Sequence, residues 1–223
     1  MKNSNSVIIV AGGSGKRMES DVPKQFLLLD KKPVLFYSLE AFHAFNPNIH
    51  IVLVLPESMI GFWQSLCKEY DFRVKHEIVK GGKTRFHSVK NGLTKVQDGL
   101  VAIHDGARPL ISKENITALF MDAEKQGNAI PTIPINESVR IFVDDENEIM
   151  DRSTLCIIQT PQIFNSEDLK KAYQQDYKKE FTDDASVVET LGIKIHLSKG
   201  DPKNSKITQT IDLKIAEALL SSN

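Results

Sequence analysis

Short unbroken apolar runs alternate along the chain with longer stretches whose apolar residues recur three and four positions apart. The runs are "VIIV" (Val7 to Val10), "IVLVL" (Ile51 to Leu55), "VAI" (Val101 to Ile103) and "AIPTI" (Ala129 to Ile133). Continuous apolarity over so few residues fits a strand covered on both faces, as in a parallel sheet. Between the runs, Leu35, Leu39 and Phe42 mark one helix. Ile116, Leu119, Phe120 and Ala123 mark another, with Ser112 placed as its N-cap and Gly127 near its end. "TDDASVVETLG" reads as a capped helix stopped by Gly192, and "TIDLKIAEALL" as the final helix. This alternation predicts a single α/β domain over residues 1–223, a doubly wound, mostly parallel, Rossmann-like sheet with right-handed crossovers.

"ESVRIFVDDENEIMDRSTLCIIQ" (Glu137 to Gln159) breaks the rhythm: it is β-rich around an acidic turn. It predicts a hairpin arm projecting from the domain. A lone hairpin is marginal in water and must pack on something. A partner subunit is the simplest answer, so a homodimer is expected; an arm folded back on its own domain is the alternative.

Composition narrows the class. With 223 residues the chain can bury a sizeable core. A formal net charge of -1 gives no reason to expect nucleic acid or an anionic membrane, so any anion site must be a local concentration of cations. No stretch approaches the ~20 apolar residues of a bilayer span. The polar "MKNSNS" is followed only by Val7 to Val10, too short for a signal-peptide core. Cys67 and Cys156 lack metal-ligand spacing and are expected to be buried thiols in a reducing cytoplasm.

Ala11, Gly12, Gly13, Ser14 and Gly15 directly follow the first strand. Glycine permits close backbone approach, and consecutive amides can then point at phosphate oxygens. Two common motifs fail: the dinucleotide pattern meets Met18 where its third glycine belongs, and the P-loop pattern meets Arg17 where Ser or Thr should follow Lys16. A tight strand-to-helix connection is the bland reading. Lys16, Arg17 and Lys24 crowd beside the glycines, and Pro23 stiffens the backbone that launches Lys24.

Further polar clusters fall where ligands bind in open α/β sheets, beyond the carboxyl ends of the strands. They are "GGKTRFHSV" after Val79, "HDGARP" after Ile103 and "PINES" after Ile133. Asp105 is the natural metal ligand, since magnesium takes one or two carboxylates plus substrate phosphates; pairing with Arg108 is the structural alternative. His104 reads as a satisfied core histidine and His87 as solvated. Ser88 could hydrogen-bond a base or cap a helix through Val89, Asn91 and Leu93.

"AGGSGKRM…PKQF", "GGKTRFHSVKNGL", "HDGARP", "DR…QTPQIF", "TDDASVVE" and "KIT…DL" occur in this order over nearly the whole chain. The set closely resembles the 2-C-methyl-D-erythritol 4-phosphate cytidylyltransferase family of nucleotidyltransferases. The resemblance implies cytidylyl transfer from CTP to a sugar-alcohol phosphate, with Mg2+ and release of pyrophosphate. Carried over by motif, Arg17, Lys24 and Lys206 hold the triphosphate and stabilise the transition state. Ala11, Gly12, Gly13, Gly82, Ser88, Asp105 and Gly106 approach the nucleotide, with Asp105 beside the metal. Ser138, Arg152, Thr160 and Thr182 resemble the acceptor site, with Thr208 near the phosphate. Ser138 and Arg152 stand on the arm, from which the family supplies a neighbouring subunit's site. Glu137-Ser138 replaces the usual Asp-Thr and keeps a hydroxyl; Gly106 stands where Ala is common. Ribitol-5-phosphate cytidylyltransferase and a non-catalytic CTP-binding regulator are the alternatives.

Overall fold

The computed structural model describes residues 5–12 and 23–221. In chain order the elements are β1 (Ser6–Val10), β2 (Leu28–Leu29), β3 (Lys32–Pro33), α1 (Val34–Phe45), β4 (His50–Leu55), α2 (Glu57–Glu69), β5 (Glu77–Lys80), α3 (Arg85–Leu93) and β6 (Leu100–Asp105). There follow α4 (Lys113–Gln126), β7 (Asn128–Pro134), β8 (Val139–Val143), β9 (Glu146–Met150), β10 (Cys156–Ile158), β11 (Gln162–Asn165), α5 (Ser166–Ala172), α6 (Asp184–Glu189), β12 (Leu197–Lys199) and α7 (Thr210–Ser221).

The main sheet runs β10-β7-β11-β6-β1-β4-β5, with β12 beside β7. The β6-β1-β4-β5 half is parallel, as the apolar runs predict. Alternating side chains explain why those runs are continuous. Val7 and Ile9 join one buried cluster, with α1, α2 and α4, while Ile8 joins the other, with α3, α5 and α6. Each fully buried Val or Ile stabilises the sheet by about 1.5–3 kcal/mol. The fourth helix is capped as its sequence indicates: Ser112 accepts from the Asn115 amide at 3.1 Å, and Gly127 takes a left-handed φ of 86°.

Two expectations need correction. The segment 137–159 is not one hairpin. Only β8 and β9 form the free two-stranded ladder, turning at Asp144, whereas Cys156–Ile158 returns to the main sheet antiparallel to β7. Cys156 is exposed, because β10 is the outermost strand and its residues all face solvent; Cys67 is half-buried. "TDDASVVETLG" forms the capped helix expected of it, six residues long, with Asp183 as the cap and Gly192 turning the chain after it with a φ of 74°.

Candidate active site

The carboxyl ends of the parallel strands build a cleft of about 330 Å³. At the end of β1, Ala11 donates its N–H to the Val54 carbonyl at 3.0 Å, and its own carbonyl accepts from buried Gln25 at 2.7 Å. Both backbone groups of Ala11 are therefore held, and Gly12 lines the cleft beside it. Lys24 opens a 3-10 turn after Pro23, and its amine donates to the Ile207 carbonyl at 2.7 Å.

After β5, the chain doubles back tightly. Ser88 Oγ accepts from the Gly82 N–H at 3.1 Å and donates to the Thr84 carbonyl at 3.0 Å. A Cβ on Gly82 would lie 2.4 Å from the His87 Cβ, so the fold itself requires glycine there. Thr84, not Ser88, caps α3. Ser88 ties down the loop, and half-buried His87 leans on Thr84.

Asp105 ends β6 at the floor of the cleft. Arg85 Nε donates to its Oδ1 at 3.2 Å and Lys206 Nζ to its Oδ2 at 2.7 Å. Burial alone would raise the Asp105 carboxyl; the Arg85 and Lys206 charges outweigh it and hold it well below the usual carboxylate range. The anion is therefore permanent at neutral pH. Its partners are Arg85 and Lys206, and Arg108 turns instead to the Asn204 carbonyl at 2.8 Å.

A second cleft, of about 270 Å³, backs onto the first and shares Arg85, Asp105 and Lys206 with it. Thr160, Thr182, Asp183 and Arg108 are among the residues that also line it. Arg108 is buried, and its Nε has no hydrogen-bond partner among the described residues. Beneath lies His104. Its Nε2 faces the Arg108 carbonyl at 3.1 Å, which only accepts, so the proton sits on Nε2. Nδ1 then accepts from the Thr160 hydroxyl, 3.2 Å away, and that hydroxyl accepts the Asp105 N–H at 3.0 Å. Burial pulls the His104 pKa down to about 4. It is the satisfied core histidine that the sequence suggests.

The structure thus gathers Ala11, Gly12, Lys24, Gly82, Ser88, Asp105 and Lys206 around the first cleft, and Thr160 and Thr182 around the second. Gly106 stands behind the lining: its N–H bonds the Val10 carbonyl at 2.9 Å, and a Cβ there would point at Leu35. The Thr208 hydroxyl donates to Asp212 at 2.8 Å at the head of α7. Ser138 and Arg152 are exposed on and beside the arm and line neither cleft of this single chain; Arg152 donates to the Asn136 carbonyl. Gly13 and Arg17 lie outside the described residues. Arg85 and Gln25 carry the geometry without having been singled out by sequence, and Arg108 was considered only as a partner for Asp105. Arg85 and Arg108 lie inside "GGKTRFHSV" and "HDGARP", and a cation at a strand-end loop was the signal available.

Among the described residues no group of three or more His, Cys, Asp or Glu could hold a metal, and no helix is long and apolar enough to cross a membrane. The family model for 2-C-methyl-D-erythritol 4-phosphate cytidylyltransferase (IspD) matches residues 6–222. The chain belongs to this family. The cytidylyltransferase of that name from Phocaeicola vulgatus is 49% identical over 215 residues, covering 96% of this chain and 98% of that protein. The Porphyromonas gingivalis (strain ATCC 33277) family member is 49% identical over 225 residues, covering 100% of both. The crystal structure of 4-diphosphocytidyl-2C-methyl-D-erythritol synthase from Anaerococcus prevotii superposes with a TM-score of 0.82 at 26% identity, covering 98% of this chain and 99% of that one. The family's α/β fold and the β8–β9 hairpin are both present here.

Proposed function

We propose that this family member transfers a cytidylyl group from CTP to 2-C-methyl-D-erythritol 4-phosphate, forming 4-diphosphocytidyl-2-C-methyl-D-erythritol and pyrophosphate. The observation that carries the reading is the pair of clefts sharing one wall of Arg85, Asp105 and Lys206. One cleft suits a nucleotide and the other an acceptor, and their reacting phosphates would meet at that wall.

An oxygen of the acceptor phosphate attacks the α-phosphorus of CTP. A new P–O bond forms, the bond to the bridging oxygen breaks, and its electron pair leaves on pyrophosphate. The nucleophile is already an anion at neutral pH, so no general base has to create it. Mutual repulsion is the obstacle. Two unit charges ~4 Å apart interact by ~4 kcal/mol at an effective dielectric of ~20. Lys24 and Lys206 are placed to offset it, and the Gly12 and Gly82 backbones leave room for the nucleotide. Arg108, a guanidinium in the lining of the second cleft, suits the acceptor's phosphate.

Magnesium fits a site of this chemistry. Asp105 offers one permanently ionised carboxylate, and the ion ordinarily completes its shell with phosphates and water. When bound, it would neutralise triphosphate charge. A homodimer built through the arm accounts for its surface: Phe142 is 86% and Ile149 79% exposed. Ser138 and Arg152 would then serve the neighbouring subunit's second cleft. A cytoplasmic location agrees with its soluble substrates.

The test assays purified chain with CTP and Mg2+ against 2-C-methyl-D-erythritol 4-phosphate and ribitol 5-phosphate side by side, reading pyrophosphate. Turnover with the first acceptor is expected. Turnover with ribitol 5-phosphate alone, or CTP binding without turnover on either, would replace the reading with a different enzyme or a regulator.

A further inference from the structure

Lys206 lies on a segment with no helix or strand of its own, between β12 and α7. The backbone next to it is tied down, with the Ile207 N–H on the Ala107 carbonyl at 2.8 Å, but a four-carbon side chain still leaves the amine to be aimed by its own contacts. The contact that does so is Asp105 Oδ2, and Asp105 is in turn gripped at Oδ1 by Arg85. Arg85 also donates through Nη2 to Asp184 Oδ2 at 2.7 Å. Asp184 has no exposed side-chain surface. Its other oxygen accepts from the Tyr173 hydroxyl at 2.6 Å, and its N–H donates to Gln162 Oε1 at 3.0 Å. One immobile acid on α6 therefore fixes a guanidinium on α3, which fixes a carboxylate on β6, which faces the lysine.

We propose that Arg85 is a positioning residue for the transfer reaction: anchored by buried Asp184, it holds Asp105 so that the carboxylate aims Lys206 at the junction of the two clefts. The inference rests on the cytidylyl-transfer reading for its kinetic consequence, though the geometric claim stands apart from it. A buried ion pair gains little net stability, because desolvation offsets attraction. The planar guanidinium fork does what an ammonium does not: it spans two carboxylates at a fixed angle. Its side chain remains 29% exposed and lines both clefts, which a purely internal brace would not do.

Arg85→Gln alone would leave Asp184 buried without its cation, so it is paired with Asp184→Asn, which still accepts from Tyr173. Arg85→Lys is the second variant, keeping charge without the fork. Rates are compared for the parent, the Arg85→Gln/Asp184→Asn pair, Lys206→Gln and the triple variant. The pair should lower kcat roughly 10–100-fold with CTP KM changed less than about threefold, and the triple should be no more than about threefold slower than Lys206→Gln, because both act through one group. Arg85→Lys should share the loss. Multiplying effects in the triple, full kcat in Arg85→Lys, or a loss seen only in CTP KM would overturn the proposal. An independent readout needs no turnover: the side-chain ammonium resonance of Lys206, assigned by its absence in Lys206→Gln, should be visible in the 15N-labelled parent and broaden away in the paired variant. An unchanged resonance would overturn the positioning claim even if the parent proved inactive, which would overturn only the reaction assigned above.

Discussion

Replacing Thr160 by Val asks what the Thr160 hydroxyl is for. The side chain is buried, and the two residues are close in shape. The β11–β6 ladder pairs Gln162 with Ile103, and carrying that register onward puts Thr160 opposite Asp105. There the hydroxyl stands in for a backbone carbonyl by accepting the Asp105 N–H, and it donates to His104 Nδ1. Valine would leave a buried N–H and a buried ring nitrogen unpaired. Each such group costs about 1–3 kcal/mol, partly offset by the added methyl, so a net loss of about 2–4 kcal/mol is expected. Thr160→Ser keeps the hydroxyl and loses one methyl, about 1 kcal/mol. At about 2–4 °C per kcal/mol for a chain of this size, Val should melt roughly 5–15 °C below the parent and clearly below Ser. Denaturant unfolding of all three proteins measures the difference. If Val matched Ser in stability while acceptor KM alone rose, the hydroxyl would be a substrate contact and the ladder argument would be wrong.

Lys24→Ala should lower kcat by about 10²–10³ with the fold intact, the scale of losing one oriented electrostatic group; a folded variant with near-parent turnover would remove Lys24 from the chemistry. Burial holds His104 neutral to about pH 4 and also lowers the His76 pKa, whereas histidine in an unfolded chain titrates near 6.5. Between those values the unfolded state binds the extra proton. Their contribution to stability is therefore complete above about pH 6.5 and lost as pH falls towards 4. Urea midpoints across that window should decline, and a flat profile would contradict the burial argument. Phe142→Asp with Ile149→Asp should give monomers on size-exclusion chromatography, since both side chains are exposed on the single chain and a partner would cover them; an unchanged elution volume would count against assembly through the arm.

The parallel half of the sheet was readable because strands covered on both faces carry unbroken apolar runs, and α4 because Ser112 and Gly127 mark its ends. The antiparallel strand β11 was not: "QIFN" is short, and its insertion between β6 and β7 depends on pairing partners far away in sequence. The cluster at the strand ends was visible residue by residue in "HDGARP" and "GGKTRFHSV". The link from Arg85 to Asp184 crosses 99 positions, and no local pattern announces it. Ser88 was divided between a base contact and a helix cap; its hydroxyl braces the Gly82 turn, a role that depends on the loop's folded path. Cys156 was misjudged because burial of a thiol depends on whether its strand is central or outermost.

The antiparallel β10 leaves the sheet edge at Ile158, and only Gln159 separates it from Thr160, the residue that closes the ladder above Asp105. The edge strand β10 and the floor of the second cleft are therefore neighbours on one piece of backbone, with Gln159 pinned by its amide to the Asp201 and Asn204 carbonyls. A shift of this edge strand would reach the second cleft directly through Ile158, Gln159 and Thr160, none of which lines the first, so contacts made along that edge can reshape one cleft and leave the other as it is.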